Sequence, residues 1–289
     1  CNMYKSIVTE IVKRQRPKLL VINASAFSQG NWNLTDEVYL RKWIDNMPMS
    51  QNKLDTVETI PKNINKDDEK VKDNISDTLY FPLEKYHGNW KDPEAVYTSF
   101  VTRAYMRLSG GGYLKGFYSK TGITGGRDNL ANIGQPTKEA YVLTDECRAY
   151  LKELLSYCNK LGIEHVLLLQ PPHETQEADK SGLEQIESIT KEYGYDFLDL
   201  STDYESSVGI DDSHDFADFE HLNAYGAQKL SSYIGDMAVN QYGIKSDTAK
   251  SELSRWKKSV KRTKKALKMA REYTDRGEAQ VVGEYEAAK

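Results

Sequence analysis

The chain has 289 residues, 39% of them hydrophobic, and a formal net charge of −4. That length and apolar content allow one large domain or two small ones around a real core, and the net negative charge excludes a protein that coats nucleic acid as a whole. Three cysteines are too few for a disulfide scaffold, and no apolar run reaches the length of a membrane span.

Tyr4, Ile7, Val8, Ile11 and Val12 recur at helical spacing, and Pro17 ends the pattern after a basic last turn of Lys13, Arg14 and Arg16. Leu19-Leu20-Val21-Ile22 is a continuous apolar run, which predicts a strand covered on both faces, as parallel strands are. Between about residues 31 and 140 the rhythm fails. Thr35 predicts the cap of a helix carrying Leu40, Trp43, Ile44 and Met47, but residues 60–78 are polar and lack a stripe. This stretch reads as an irregular insertion over the sheet edge. Its glycines at 110–112, 122, 125 and 126 punctuate loops, and without a Gly-Lys-Ser/Thr ending they make no phosphate loop.

The pattern then returns with stronger signals. Thr144 predicts a helix cap, with Asp145 and Glu146 in the first turn, a stripe of Cys147, Leu151, Leu154, Leu155 and Cys158, and Gly162 closing the helix. Cys147 and Cys158 lie about 16 Å apart along such a helix, too far to bridge, so they read as small core residues. His165 to Leu169 predicts a buried strand. Ser181 and Glu184 form a capping box for a helix with Leu183, Ile186, Ile189 and Tyr193, which stops at Gly194. Phe197 to Leu200 is the next strand, and a last core helix starts near Asn223 with Ala227, Leu230, Ile234, Met237 and Ala238 inward.

Helix and strand in alternation with short connections predict an α/β domain with a doubly wound parallel sheet over residues 1–245. Chemistry in such sheets sits beyond the carboxyl ends of the strands, here residues 23–30, 170–175 and 201–221. Residues 246–289 form a basic helical appendage. Leu253, Trp256, Val260, Leu267 and Ala270 keep a 3-4 spacing, and ten Lys and Arg between 250 and 271 face one acid, Glu252. The expected arrangement docks the Trp256 seam on the domain and leaves a solvated basic face. Contact with an anionic membrane surface or polymer is the alternative.

Of five histidines, His165 opens a buried strand, whereas His87, His173, His214 and His221 lie in predicted loops. His221 has a partner pattern. A serine nucleophile needs a base to take its proton and a carboxylate to hold that base in the right tautomer. The Asp218-Phe219-Glu220-His221 spacing lets one tight turn return the carboxylate to one ring nitrogen while leaving the other for the substrate. Ser25 and Ser28, beyond the first strand, are alternative nucleophiles, and Asn23 or Ser25 could donate to an oxyanion. His173, His87 and His214 are candidates for the substrate pocket; His87 lies beside Tyr86 and Trp90. A metal site drawn from His173, His214, Asp215, Asp218 and His221 is a weaker reading, because the helical His-Glu-x-x-His spacing is absent. No metal or other cofactor is expected.

The string Asp215-Phe216-Ala217-Asp218-Phe219-Glu220-His221-Leu222-Asn223-Ala224-Tyr225-Gly226-Ala227 resembles the final block of SGNH (GDSL-type) hydrolases. The likeness is to a bacterial, cell-envelope-associated branch that reads Asp-Phe-Ala-Asp-x-x-His-Leu-Asn-x-x-Gly-Ala. The order of elements extends the likeness over about residues 1–240. It implies a flavodoxin-like sheet and a Ser-His-Asp triad, with His221 as general base and Asp218 as its orienting carboxylate. The family's serine block precedes a segment like Arg16 to Val21, so the nucleophile is expected upstream of Cys1. Where the family carries a Gly-x-Asn-Asp block, this chain reads Asn23-Ala24-Ser25-Ala26-Phe27.

The expected function is that of an esterase or O-acyltransferase acting on acylated cell-surface glycan or a small ester. It would sit extracellularly or at the envelope of a bacterium, with a membrane-bound acyltransferase as a candidate partner and no nucleic acid. The alternative is a non-catalytic glycan-binding or scaffold protein of an acylation complex on the same fold.

Overall fold

A computed structural model describes residues 3–28, 37–59, 79–80, 91–94, 97, 101, 114–123, 143–172, 177–218, 221–246 and 249–283. In chain order the elements are α1 (Tyr4–Arg14), β1 (Leu19–Asn23), α2 (Ser25–Ser28), α3 (Glu37–Ile44), α4 (Gln51–Thr59), β2 (Ser119–Lys120) and α5 (Asp145–Lys160). There follow β3 (His165–Gln170), α6 (Glu177–Glu192), β4 (Asp196–Asp199), α7 (Tyr204–Val208), α8 (Ala224–Asn240), α9 (Lys250–Asp275) and β5 (Val281–Val282). The chain forms two compact units, one of residues 1–93, 137–170 and 176–199, the other of residues 94–136, 171–175 and 200–289.

The first unit is mixed α/β, built on a three-stranded parallel sheet in the order β1-β3-β4. Leu19 pairs with His165 and Leu167 with Asp196 at the starts of the two ladders. The central strand β3 is buried from Val166 to Gln170. Its alternate side chains point to opposite faces, so it is covered on both, as its apolar run predicts. On β1 the expectation of two covered faces fails. Ile22 is buried, but Val21 is 41% exposed, since β1 is an outer strand of the described sheet and alternation turns Val21 away from the core.

Helix α5 folds as its sequence dictates. The Thr144 side chain accepts from the Cys147 N–H at 3.1 Å, and all five stripe residues are buried. At about 1.5–3 kcal/mol for each fully buried leucine, Leu151, Leu154 and Leu155 contribute much of this core. Val8, Phe27, Ile186 and Ile189 join the same cluster. Burial pushes the Cys147 and Cys158 thiols up to about 11, so neither is a thiolate at neutral pH.

Helix α6 starts at Glu177, four residues before the expected capping box. Glu177, Ala178 and Lys180 are themselves good helix formers, so Ser181 lies inside the helix. The described parts of the insertion up to residue 93 belong to this unit, and those from residue 94 onward to the second. Leu40, Ile44, Met47, Val57 and Leu79 make a second cluster with Met3, and Ile7 and Trp43 pack on it. A polar seam joins α1 to α4. Asn52 Nδ2 donates to Glu10 Oε1 at 2.8 Å and Thr56 Oγ1 to Ser6 Oγ at 2.9 Å, which explains two buried polar residues on α1. The Thr35 cap lies outside the described residues.

The second unit has a thin core of Leu114, Ala224, Ala266, Ala270 and Val282, flanked by Phe117, Leu267, Met269 and Tyr273. A short antiparallel pair, Ser119 with Val282 and Lys120 with Val281, ties β2 to β5. The seam that α9 buries is Ser259, Ala266, Ala270 and Thr274. Trp256 is 50% exposed, which corrects the expectation that it docks. Small side chains let helix backbones approach closely, so Ser259, Ala266, Ala270 and Thr274 are buried at the contact, with Leu267, Met269 and Tyr273 packed half-buried beside them. The expected inward stripe of α8 is only half-buried, at Ala227, Leu230, Ile234, Met237 and Ala238.

Candidate active site

The Asp-x-x-His segment lies in a loop fixed by buried polar groups. Asp215 is fully buried. Its Oδ2 accepts from Lys229 Nζ at 2.6 Å and from the Asp211 N–H at 2.8 Å, and its Oδ1 lies 3.0 Å from His214 Nδ1. Burial alone would raise its pKa. The Asp211 N–H, Lys229 and His214 outweigh that and hold the carboxyl below the usual carboxylate range.

Asn223, also fully buried, uses its whole amide. Nδ2 donates to the carbonyls of His214 (2.6 Å) and Gly122 (3.2 Å), while Oδ1 accepts from the N–H groups of Tyr225 (2.9 Å) and Gly226 (3.3 Å). One side chain therefore closes the loop and caps α8. Gly226 must be glycine for packing reasons. A Cβ there would meet the Asp215 carbonyl oxygen at 2.5 Å and Leu222 Cδ2 at 2.9 Å.

On this base residues 216–218 and 221–222 come together. Phe216 and Leu222 form an antiparallel bridge, and the Ala217 N–H donates to the His221 carbonyl at 2.8 Å. Asp218 Oδ1 accepts from the His221 backbone N–H at 2.8 Å and lies 2.8 Å from His221 Nδ1. The carboxylate thus returns to one ring nitrogen, as the spacing predicts. With Nδ1 engaged, Nε2 is the nitrogen able to take a proton. The imidazole is 44% exposed.

Lys120, on β2, is a member of this group that the sequence did not single out. Its Nζ donates to Asp218 Oδ2 at 3.0 Å and lies 3.1 Å from His221 Nδ1. Two arrangements compete. With Nδ1 protonated, the ring donates to Asp218 and Lys120 serves only Oδ2. With Nδ1 bare, Lys120 donates to the ring and the proton sits on Nε2, where the imidazole cannot act as a base.

His214 pairs with Asp215 and packs on Tyr225, ring centroids 4.6 Å apart, so its described contacts are those of a loop support. In the first unit, Asn23 Oδ1 accepts from the Ser25 N–H at 2.8 Å, leaving the amide NH2 as its donor end, and Gln170 Nε2 lies 3.5 Å from Ser25 Oγ. Ser28 ends α2, with its side chain outside the described residues, and His87 and His173 also lie outside them. Among the described residues no group of three or more His, Cys, Asp or Glu could hold a metal ion. Asp215 and Asp218 spend their carboxylates on Lys229, His214, His221 and Lys120. No protein-family profile, curated protein or solved structure matches the chain.

Proposed function

We propose that this chain is an SGNH-type ester hydrolase or O-acyltransferase with a flavodoxin-like, doubly wound domain, acting on acylated cell-surface glycan or a related ester. The observation that carries the reading is the 2.8 Å contact between Asp218 Oδ1 and His221 Nδ1. In the proposed reaction His221 Nε2 takes the proton of a serine hydroxyl as that oxygen attacks the ester carbonyl. Asp218 stabilises the imidazolium so formed. His221 then returns the proton to the departing alkoxide, leaving an acyl-serine that water or a glycan hydroxyl resolves. The parallel order β1-β3-β4 supports the fold reading, since it runs one way across the sheet as half of a doubly wound sheet does. An extracellular or envelope location, with a membrane-bound acyltransferase as partner, belongs to the same proposal.

The test is hydrolysis of a chromogenic acetyl ester by the full-length gene product. His221→Ala is expected to lower turnover by at least about 10²-fold, the scale of a lost general base, with an unchanged circular dichroism spectrum. Undiminished turnover contradicts the assignment. A second reading, a non-catalytic glycan-binding or scaffold protein, is favoured by the Lys120 ammonium 3.1 Å from Nδ1. Glycan binding without any ester turnover in the wild-type protein would select it.

A further inference from the structure

The first turns of α9 are unlike the rest of the helix. Residues 250–258 are all exposed, and burial begins at Ser259. Leu253, Trp256 and Val260 are 41%, 50% and 50% exposed. On a helix turning about 100° per residue these three fall within an arc of roughly 60°, centred about 80° from the buried seam of Ser259, Ala266, Ala270 and Thr274. The stripe therefore lies beside the packed face and is not covered by it. Lys250, Lys257, Lys261, Lys264 and Lys268 follow along its outer border. Lys115 adds a further ammonium, its Nζ 5.3 Å from the Trp256 ring centroid.

Charge sharpens the picture. Ten basic residues against Glu252 give residues 250–271 a formal +9, so with a chain total of −4 the remainder carries −13. An anionic surface attracts this helix and repels the rest, which orients the molecule. A soluble polyanion satisfies the lysines but offers nothing to Leu253, Trp256 and Val260. A lipid surface takes both. Apolar side chains enter the boundary between headgroups and acyl chains, the indole sits at the interface, and lysine stems extend their ammonium groups to the phosphates. We propose that the first three turns of α9 bind an anionic lipid bilayer, lying flat on it through Leu253, Trp256 and Val260 with the bordering lysines on lipid phosphates.

The test is co-sedimentation of the whole protein with vesicles of phosphatidylcholine alone and of phosphatidylcholine mixed equally with phosphatidylglycerol, followed by tryptophan fluorescence. The expected result is at least a tenfold preference for the anionic vesicles, with a blue shift that Trp256→Phe removes. Binding should fall at least tenfold in a Lys257→Glu, Lys261→Glu, Lys264→Glu variant. It should also fall in Leu253→Ser, Trp256→Ala. All these positions are exposed, and an unchanged melting temperature checks that the variants fold. Absence of binding to anionic vesicles overturns the proposal. So does equal binding to dextran sulfate with no fluorescence shift and no effect of Trp256→Ala, which would mark a polyanion site.

Discussion

The two units are held together by different means. The first rests on apolar burial. The α5 stripe, β3 and one face of α6 form one cluster, and polar seams such as Ser6 with Thr56 are additions at its margin. The second buries Tyr204 and Phe216 among its described residues, but its candidate base is positioned by a polar network in which Asp215 and Asn223 together engage Asp211, His214, Gly122, Tyr225, Gly226 and Lys229. A hydrophobic core resists substitution by volume, whereas a buried polar network fails when one donor, acceptor or close approach is lost. The proposed chemistry belongs to the unit of the second kind.

The largest expected effect lies in the apolar unit. Leu154→Ala deletes a fully buried stripe residue and should cost about 2–5 kcal/mol in urea unfolding, the range for a leucine cavity. A loss well under 1 kcal/mol would show that this core collapses freely and would weaken the contrast. Next comes the polar unit. Gly226→Ala forces a methyl against the Asp215 carbonyl, and about 1–3 kcal/mol is expected. Because that contact braces the loop, the chemical shift of His221 should move as well. A silent substitution would mean that the loop does not depend on this close approach.

Acid provides the gentlest probe. The Asp215 pKa is lowered in the fold, so its contribution is fully present above the unfolded carboxylate value of about 3.9 and is lost as pH falls through the lower folded value. Exchange of the Asn223 and Gly226 amides is therefore expected to accelerate below about pH 4, ahead of the β3 amides. Loss of β3 protection first would reverse the comparison. Glu10 in the first unit is also held low, first by Lys13 and then by Asn52. It lies at a seam outside the apolar cluster, so its protonation should leave β3 protected.

How much of this was legible in the sequence follows the same line. The run from Thr144 to Gln170 could be read almost residue by residue, because an apolar stripe, a capping threonine and a closing glycine all reported one helix and one strand. The Asp218–His221 pair was legible because its spacing is local. Lys120 was not, since it reaches Asp218 from 98 residues away and nothing near it but loop glycines marks the position. The α9 seam was legible only in its later turns, where Leu267 and Ala270 pack as their spacing predicts; Ser259, Ala266 and Thr274 carry little hydrophobicity, while Leu253, Trp256 and Val260 carry much and stay exposed. Small-residue packing leaves a weak signal in hydropathy. Gly226 is visible in the sequence after Asn223, but only the approach of the Asp215 carbonyl explains it.

In the proposed function Asp218 and His221 activate a serine. Reaction of the full-length gene product with a fluorophosphonate, followed by peptide mass spectrometry, tests it most directly. A single phosphonylated serine is expected, whose position identifies the nucleophile, with labelling that falls at least about 10²-fold in His221→Ala and is markedly slowed in Asp218→Asn. No labelled serine in the wild-type protein, or labelling indifferent to His221, would contradict it.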